Sequence, residues 1–419
     1  MSSFKLKYGS SYVEVPIHNQ VIAEIIEPPL APAAPNQNAD VLNAINHPII
    51  SKPPNAIVAG QTVAIAINDK TRPVPHSLLL PPLLNYLLSC GIHPTDITFF
   101  IASGTHSPMP EDEFSKVLAD DILNKYRVIC HHCDDLESLE YLGTTHLGTP
   151  VFVNKYYSGS DIKIVVGNIE PHHFMGFSGG VKSAAIGLAG RTTINQNHSH
   201  LVEDNSTIGS YSTNPCRIDV EEIGQMMQID YALNVILNIQ REIVHTLWGD
   251  PIEVMSKGIA LSSKICQVKV SHRYECVIAS AGGYPKDINL YQSQKALTNA
   301  AEITMDGGDI YLLAACDEGA GNSRFVKFLE GINSPREVLD KFLTSGFSVG
   351  PHKAFQIARI AARTNIHLVS NMDDQLAQKL LFDPISINDL IVIVNNIKTD
   401  HTLAIMPNAV ITIPMVTTE

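Results

Sequence analysis

Short apolar runs alternate with helix-length periodic segments along nearly the whole chain. "TVAIAIND" (62–69) has the unbroken apolar character of a buried strand, and "PHSLLLPPLLNYLLSCG" (75–91) reads as a helix entered through proline and left at glycine. "DITFFIASG" (96–104) is the next strand, completing a β-α-β unit. "YRVICHH", "TPVFVNKYY" and "DIKIVVGNI" continue the strand series, "PCRIDVEEIGQMM" predicts a helix and "YALNVILN" a further strand. A second series restarts at "YECVIASAGG". It runs through a helix near "NLYQSQKALTNAAEI", the strand "DIYLLAAC", two helical stretches, and the strands "IHLVS" and "DLIVIVNN". This alternation predicts an α/β fold built on mainly parallel sheets flanked by helices.

At 419 residues the chain is too long for one ordinary core, so two domains are expected. The break falls in "SSKICQVKVSHR", dividing the chain into a cofactor-binding, catalytic α/β domain, 1–265, and a C-terminal α/β domain, 266–419. "EPPLAPAAPNQNADV" (27–41) reads as an extended surface connection.

Charge narrows the partners. Lys+Arg 29 against Asp+Glu 42 gives −13 with no basic run, which excludes nucleic acid and anionic membrane surfaces as partners. Seven thinly spread cysteines are unlike a secreted disulfide framework and fit a reducing cytoplasm. The N-terminus lacks a charged-then-apolar signal pattern, and no apolar run approaches the ~20 residues of a membrane span. A cytoplasmic protein is expected.

Ligands gather at the carboxyl ends of parallel strands. Three predicted strands there are followed by "NDKTRP", "SGTHSP" and "EPHHFMGFSGGVKS", which would bring Asp69, Arg72, His106, His172, His173 and Lys182 to one rim. From the second series, "YPKDINLYQSQKAL" offers Gln292 and Lys295, implying a cleft between domains. Singly, Asp69 and Arg72 read as a turn and cap, and His106 as a structural histidine; their convergence at strand ends carries the argument.

Shorter motifs point elsewhere. Gly176-Phe177-Ser178-Gly179-Gly180 matches G-x-S-x-G, which would make Ser178 a hydrolase nucleophile, but "EPHHFM" separates the serine from the nearest predicted strand. The phosphate-loop pattern is missed because Val181, not glycine, precedes Lys182-Ser183; the glycines still suit an anionic ligand. "CHHC" (130–133) lacks a second pair at zinc-site spacing and reads as a strand end and turn.

Taken in order, "NDKTRP", "GTH", "EPHHFMGFSGGVK", Asn197-His198 and "GGYPKDINLYQSQKAL" resemble the nickel-dependent lactate racemase family, from "KLKYG" through at least Leu297. The resemblance implies two α/β domains with the site between them. It implies a nickel pincer nucleotide tethered through a thioamide to Lys182, flanked by Ser178, Gly179 and Gly180, with His198 completing the nickel coordination. Imidazole and sulfur suit that metal. It further implies that His106 and His172 are paired acid/bases, and that Arg72, Gln292 and Lys295 hold the substrate. Asp69 would lie near the cofactor or orient a histidine.

The implied reaction racemises or epimerises a 2-hydroxy acid: one histidine takes the hydroxyl proton, hydride leaves C2 for the cofactor, and its return to the other face inverts the centre. Cofactor-biosynthesis proteins would be partners. Ser107, Val181 and Ile186 depart from the family's usual Arg, Arg and Pro, altering the grip on an anion. A serine hydrolase and a non-catalytic carrier of the nickel nucleotide are the alternatives.

Overall fold

The computed structural model describes residues 2–18, 21–50, 55–72, 74–397 and 402–417. The chain forms two compact units, one of Leu30–Ile265 and the other of Met1–Pro29 together with Cys266–Glu419. The first 29 residues therefore do not belong to the cofactor-binding domain as expected from the 1–265 division. They supply β1 (Ser2–Tyr8) and β2 (Ser11–Ile17), an antiparallel hairpin, and β3 (Ala23–Ile25).

In the Leu30–Ile265 unit, β4 (Val63–Asn68), β5 (Ile97–Ala102) and β6 (Arg127–Cys130) are followed by the hairpin β7 (Leu139–Thr144) and β8 (Pro150–Asn154). After β9 (Ile162–Asn168) come the two-residue strands β10 (Pro171–His172) and β11 (Gly176–Phe177), then β12 (Tyr231–Leu237) and β13 (Ile243–Gly249). The six-stranded sheet has the order β13-β12-β9-β4-β5-β6, with only β13 antiparallel to its neighbour. β9 is buried at every position because both faces of the sheet are covered, which is why the sequence shows runs rather than alternation.

On one face, Ile65 and Ile67 of β4 and Phe99 and Ile101 of β5 pack against Leu79, Leu80, Leu83 and Leu87 of helix His76–Ser89. Each such leucine contributes about 1.5–3 kcal/mol by leaving water. Leu83→Ala would cost about 2–5 kcal/mol through lost contact and a residual cavity.

Chain order positions the site. From β4 the chain steps outward to β5 and β6, then returns to the other side of β4 to lay down β9 and β12. Between β4 and β9 the connections run in opposite directions, leaving a crevice at the strands' carboxyl ends.

The other unit adds β14 (Gln267–Val270), β15 (Tyr274–Ser280), β16 (Thr304–Leu313), β17 (Asn365–Val369), β18 (Asp383–Pro384), β19 (Leu403–Met406) and β20 (Ile413–Val416). Its main sheet, β18-β17-β16-β15-β19-β3, is parallel throughout. The β1–β2 hairpin covers one face through Leu6, Val13, Val15 and Ile17.

Two segments differ from expectation. "DLIVIVNN" is the helix Ile387–Asn395 rather than a strand: Ser386 and Asp389 form a capping box, and Leu390 and Val394, one turn apart, are its buried residues. Within the expected connection 27–41, a helix starts at Gln37, where the Asn36 side chain accepts from Ala39 N–H. Among the described residues no helix is long and apolar enough to cross a membrane.

Candidate active site

Three strand ends and the loops behind them surround one cavity of about 150 Å³. β4 delivers Asp69 and Arg72, β5 delivers His106, and the long loop after β9 delivers His172, Ser178, Gly179 and Lys182; His198 on helix Arg191–Ser199 also lines it. All belong to the Leu30–Ile265 unit. Gln292 and Lys295 lie in the other unit, on helix Leu290–Ala301, whose N-cap Asn289 accepts from Gln292 N–H at 3.0 Å.

His106 and Asp69 form a pair, with Nδ1 2.7 Å from Oδ2. The other carboxylate oxygen accepts from Thr71 N–H at 3.0 Å and from its hydroxyl at 2.6 Å. Burial by itself pushes the Asp69 carboxyl up, but the hydrogen bonds from His106 and Thr71 outweigh it and hold the group below its ordinary value. The ionised carboxylate only accepts, so Nδ1 of His106 carries the proton and Nε2 keeps its lone pair. Asp69 thus holds the His106 ring through Nδ1.

His172 is held the opposite way. Met175 N–H donates to its Nδ1 at 3.3 Å, so that nitrogen has the lone pair and Nε2 carries the proton in the neutral ring. The ring stacks on His173 at 4.5 Å and meets the edge of Phe174 at 4.8 Å.

The glycines turn the chain between the histidines and the lysine. Gly179 and Gly180 have φ +91° and +58°; a Cβ on the first would fall 2.6 Å from Ile169 Cγ1, and on the second 2.4 Å from Met255 Cγ. Arg217, fully buried, fixes this turn by donating to Phe177 O and Gly179 O, both at 3.1 Å, while its charge meets Glu221 at 2.5 Å. Gly180 N–H donates to Asn234 Oδ1 at 2.6 Å. Lys182 then opens the short helix Lys182–Ala185.

Sequence reading missed Arg217, Glu221 and Asn234. Arg217 and Glu221 stand four apart on one helix, a spacing that on its own reads as a surface ion pair. The "CHHC" segment is a strand end: β6 stops at Cys130, and His131 is buried with Nε2 2.9 Å from Ala189 O. Among the described residues no group of three His, Cys, Asp or Glu is arranged to hold a metal.

A two-unit α/β chain with two histidines, a lysine and a further imidazole around one strand-end crevice is matched by two family models, the lactate racemase N-terminal domain over residues 8–209 and the lactate racemase C-terminal domain over residues 270–413. The chain belongs to the lactate racemase family and is an isomerase. Lactate racemase of Thermoanaerobacterium thermosaccharolyticum is 29% identical over 351 residues, covering 83% of this chain and 82% of the relative. That of Lactiplantibacillus plantarum is 28% identical over 362 residues, 82% of this chain and 84% of the relative. The structure of the lactate racemase apoprotein from T. thermosaccharolyticum superposes with a TM-score of 0.89 at 26% identity, covering 99% of this chain and all of that one (100%). A Thermotoga maritima protein shares the fold, with a TM-score of 0.65 at 16% identity over 91% of this chain and 97% of its own. Family membership sets aside the serine-hydrolase alternative for Ser178.

Proposed function

We propose that this enzyme racemises or epimerises a 2-hydroxy acid, lactate or a close relative, using a nickel pincer nucleotide held covalently by Lys182. The observation that carries the reading is the meeting, in one cavity, of Lys182, His198 and two histidines with opposite proton arrangements. The residues present fit the cofactor. Ser178 and Gly179 line the cavity beside Lys182, Asn68 has a buried Oδ1 without a partner at the cavity wall, and His198 offers one imidazole donor.

When bound, the group supplies nickel and a hydride acceptor. The chain does the rest. Arg72 clamps the substrate carboxylate bidentately. His106 accepts the hydroxyl proton of one enantiomer at Nε2, the resulting positive charge being stabilised by Asp69. His172 would serve the other enantiomer from Nε2: with a second proton taken from solvent at Nδ1, in place of the Met175 N–H contact, its ring can protonate the forming hydroxyl and end neutral, and in the reverse direction the two rings exchange these roles. Ser178 and the two glycines flank the cofactor. Nickel-nucleotide biosynthesis proteins load the enzyme, which we place in the cytoplasm.

Protein expressed with those biosynthesis proteins should carry a mass adduct that peptide mapping locates on Lys182, and it should interconvert D- and L-lactate. Lys182→Ala should lose adduct and activity together. Nickel should be lost in His198→Ala and kept in His200→Ala. An adduct on another lysine, or a loaded protein that turns over neither enantiomer of any short 2-hydroxy acid, overturns the reading; the second outcome would leave a carrier of the cofactor.

A further inference from the structure

Behind His198 runs a chain of buried polar groups that the proton-transfer chemistry does not use. Asn197 is fully buried, and its amide nitrogen donates to Cys216 O at 2.9 Å and to Asp219 Oδ2 at 2.8 Å. A carbonyl and a carboxylate can only accept, so the NH₂ of Asn197 must face them. Its oxygen must then face His198 Nδ1, 3.0 Å away. An amide oxygen also only accepts. Nδ1 of His198 therefore carries the proton, and Nε2 the lone pair.

Asp219 anchors the far end. It is fully buried, and besides Asn197 it accepts from the hydroxyls of Thr145 at 2.5 Å and Thr149 at 2.8 Å. Thr145 Oγ1 in turn accepts from Thr149 N–H at 3.1 Å, leaving its hydroxyl proton for Asp219. Three neutral donors converge on one carboxylate, and a negative acceptor strengthens each link of such a chain. A carboxylate buried among threonines is costly unless its lone pairs are used.

We propose that Asp219 is a positioning residue, acting through Asn197 to hold His198 in the Nδ1–H tautomer so that Nε2 is the atom presented to the metal. This rests on the reading of His198 as the nickel ligand. The design gains from it because a free neutral imidazole favours the other tautomer, in which Nε2 is blocked by a proton that must leave before metal can bind. Asn197 transmits the constraint because an amide, unlike a hydroxyl, cannot rotate its donor and acceptor into each other's places at no cost.

Two measurements test it. In the unloaded protein, a two-bond ¹H–¹⁵N spectrum, with His198→Ala identifying the resonances, should show His198 as Nδ1–H in the wild type and Nε2–H in Asn197→Ala. In the loaded protein, a chelator should strip nickel about 10–100-fold faster from Asn197→Ala and Asp219→Asn than from the wild type. Asp219→Asn preserves shape, so a folding defect in Asn197→Ala leaves the test standing. An Nε2–H signal in the unloaded wild type, or nickel release unchanged in both variants, overturns the proposal. The failure of its premise is separable: if His198→Ala retains nickel as the wild type does, the ligand reading falls and takes the metal role of Asp219 with it, while the spectrum still decides the tautomer.

Discussion

His106 and His172 line the same cavity, yet the backbone and side chains around them impose opposite proton arrangements. His106 has a carboxylate behind it, is about half exposed (49%) and keeps its lone pair on Nε2. His172 has a peptide N–H behind it, stacks on a second imidazole and keeps its proton on Nε2. Identical side chains thus present a lone pair at Nε2 in one case and a proton in the other, set by whichever atom stands at Nδ1. A reaction that inverts a centre needs both at once, one on each side of the substrate.

The largest effect should come from removing either ring. His106→Ala and His172→Ala should each lower racemisation about 10²–10⁴-fold. Single-turnover absorbance of the loaded cofactor should show the loss falling on opposite enantiomers in the two variants. Wild-type rates for both enantiomers in both variants would break the comparison.

Asp69→Asn should turn His106 into a second His172. Thr71 N–H claims the one remaining carbonyl oxygen, so the new NH₂ faces Nδ1 of His106 and drives its proton to Nε2. Racemisation should fall about 10–10²-fold, with a larger loss for the enantiomer that His106 serves. An equal loss for both enantiomers would show that Asp69 acts on the cofactor rather than on the ring.

His173→Ala should cost less than about tenfold, because His173 supports the His172 ring by stacking and is not among the residues lining the cavity. A loss as deep as that of His172→Ala would move the acid to position 173.

The smallest effect is on acid stability. The Asp69 carboxyl sits below its ordinary value in the folded chain, so its stabilisation is complete above the unfolded value and is lost as pH falls through the lower folded one. Melting curves of the wild type should therefore drop below about pH 4 more steeply than those of Asp69→Asn, by roughly a few degrees. Parallel curves would mean that the His106–Asp69 bond adds nothing to folding.

Much of the architecture could be read from the chain because a strand buried on both faces is written as an apolar run, and its end as the first polar residues after it. Asn68-Asp69 and Ala102-Ser103 mark such ends. The Ile387–Asn395 helix escaped because its run is apolar without a strong helical gap, and only the Ser386–Asp389 cap distinguishes it from a strand. Arg217 and Asn234 escaped for another reason. Their function is to hold Gly179 and Gly180 from elements distant in sequence, and no local pattern records a contact of that kind. The same holds for Asp219, which locally is one more acidic residue on an amphipathic helix.

The edge strand β3 also has a consequence for how the chain is made. Ala23 pairs with Leu403, and Gln267 of β14 with Ile413, so the unit that contains β1 to β3 cannot close its sheets until residues 403–416 have left the ribosome. The Leu30–Ile265 unit has no such debt to the end of the chain, and all six strands of its sheet are available once residue 249 has been synthesised. During translation the cavity-bearing unit should therefore become protease-resistant first, with the opening 29 residues tethered to it and waiting for partners still unmade.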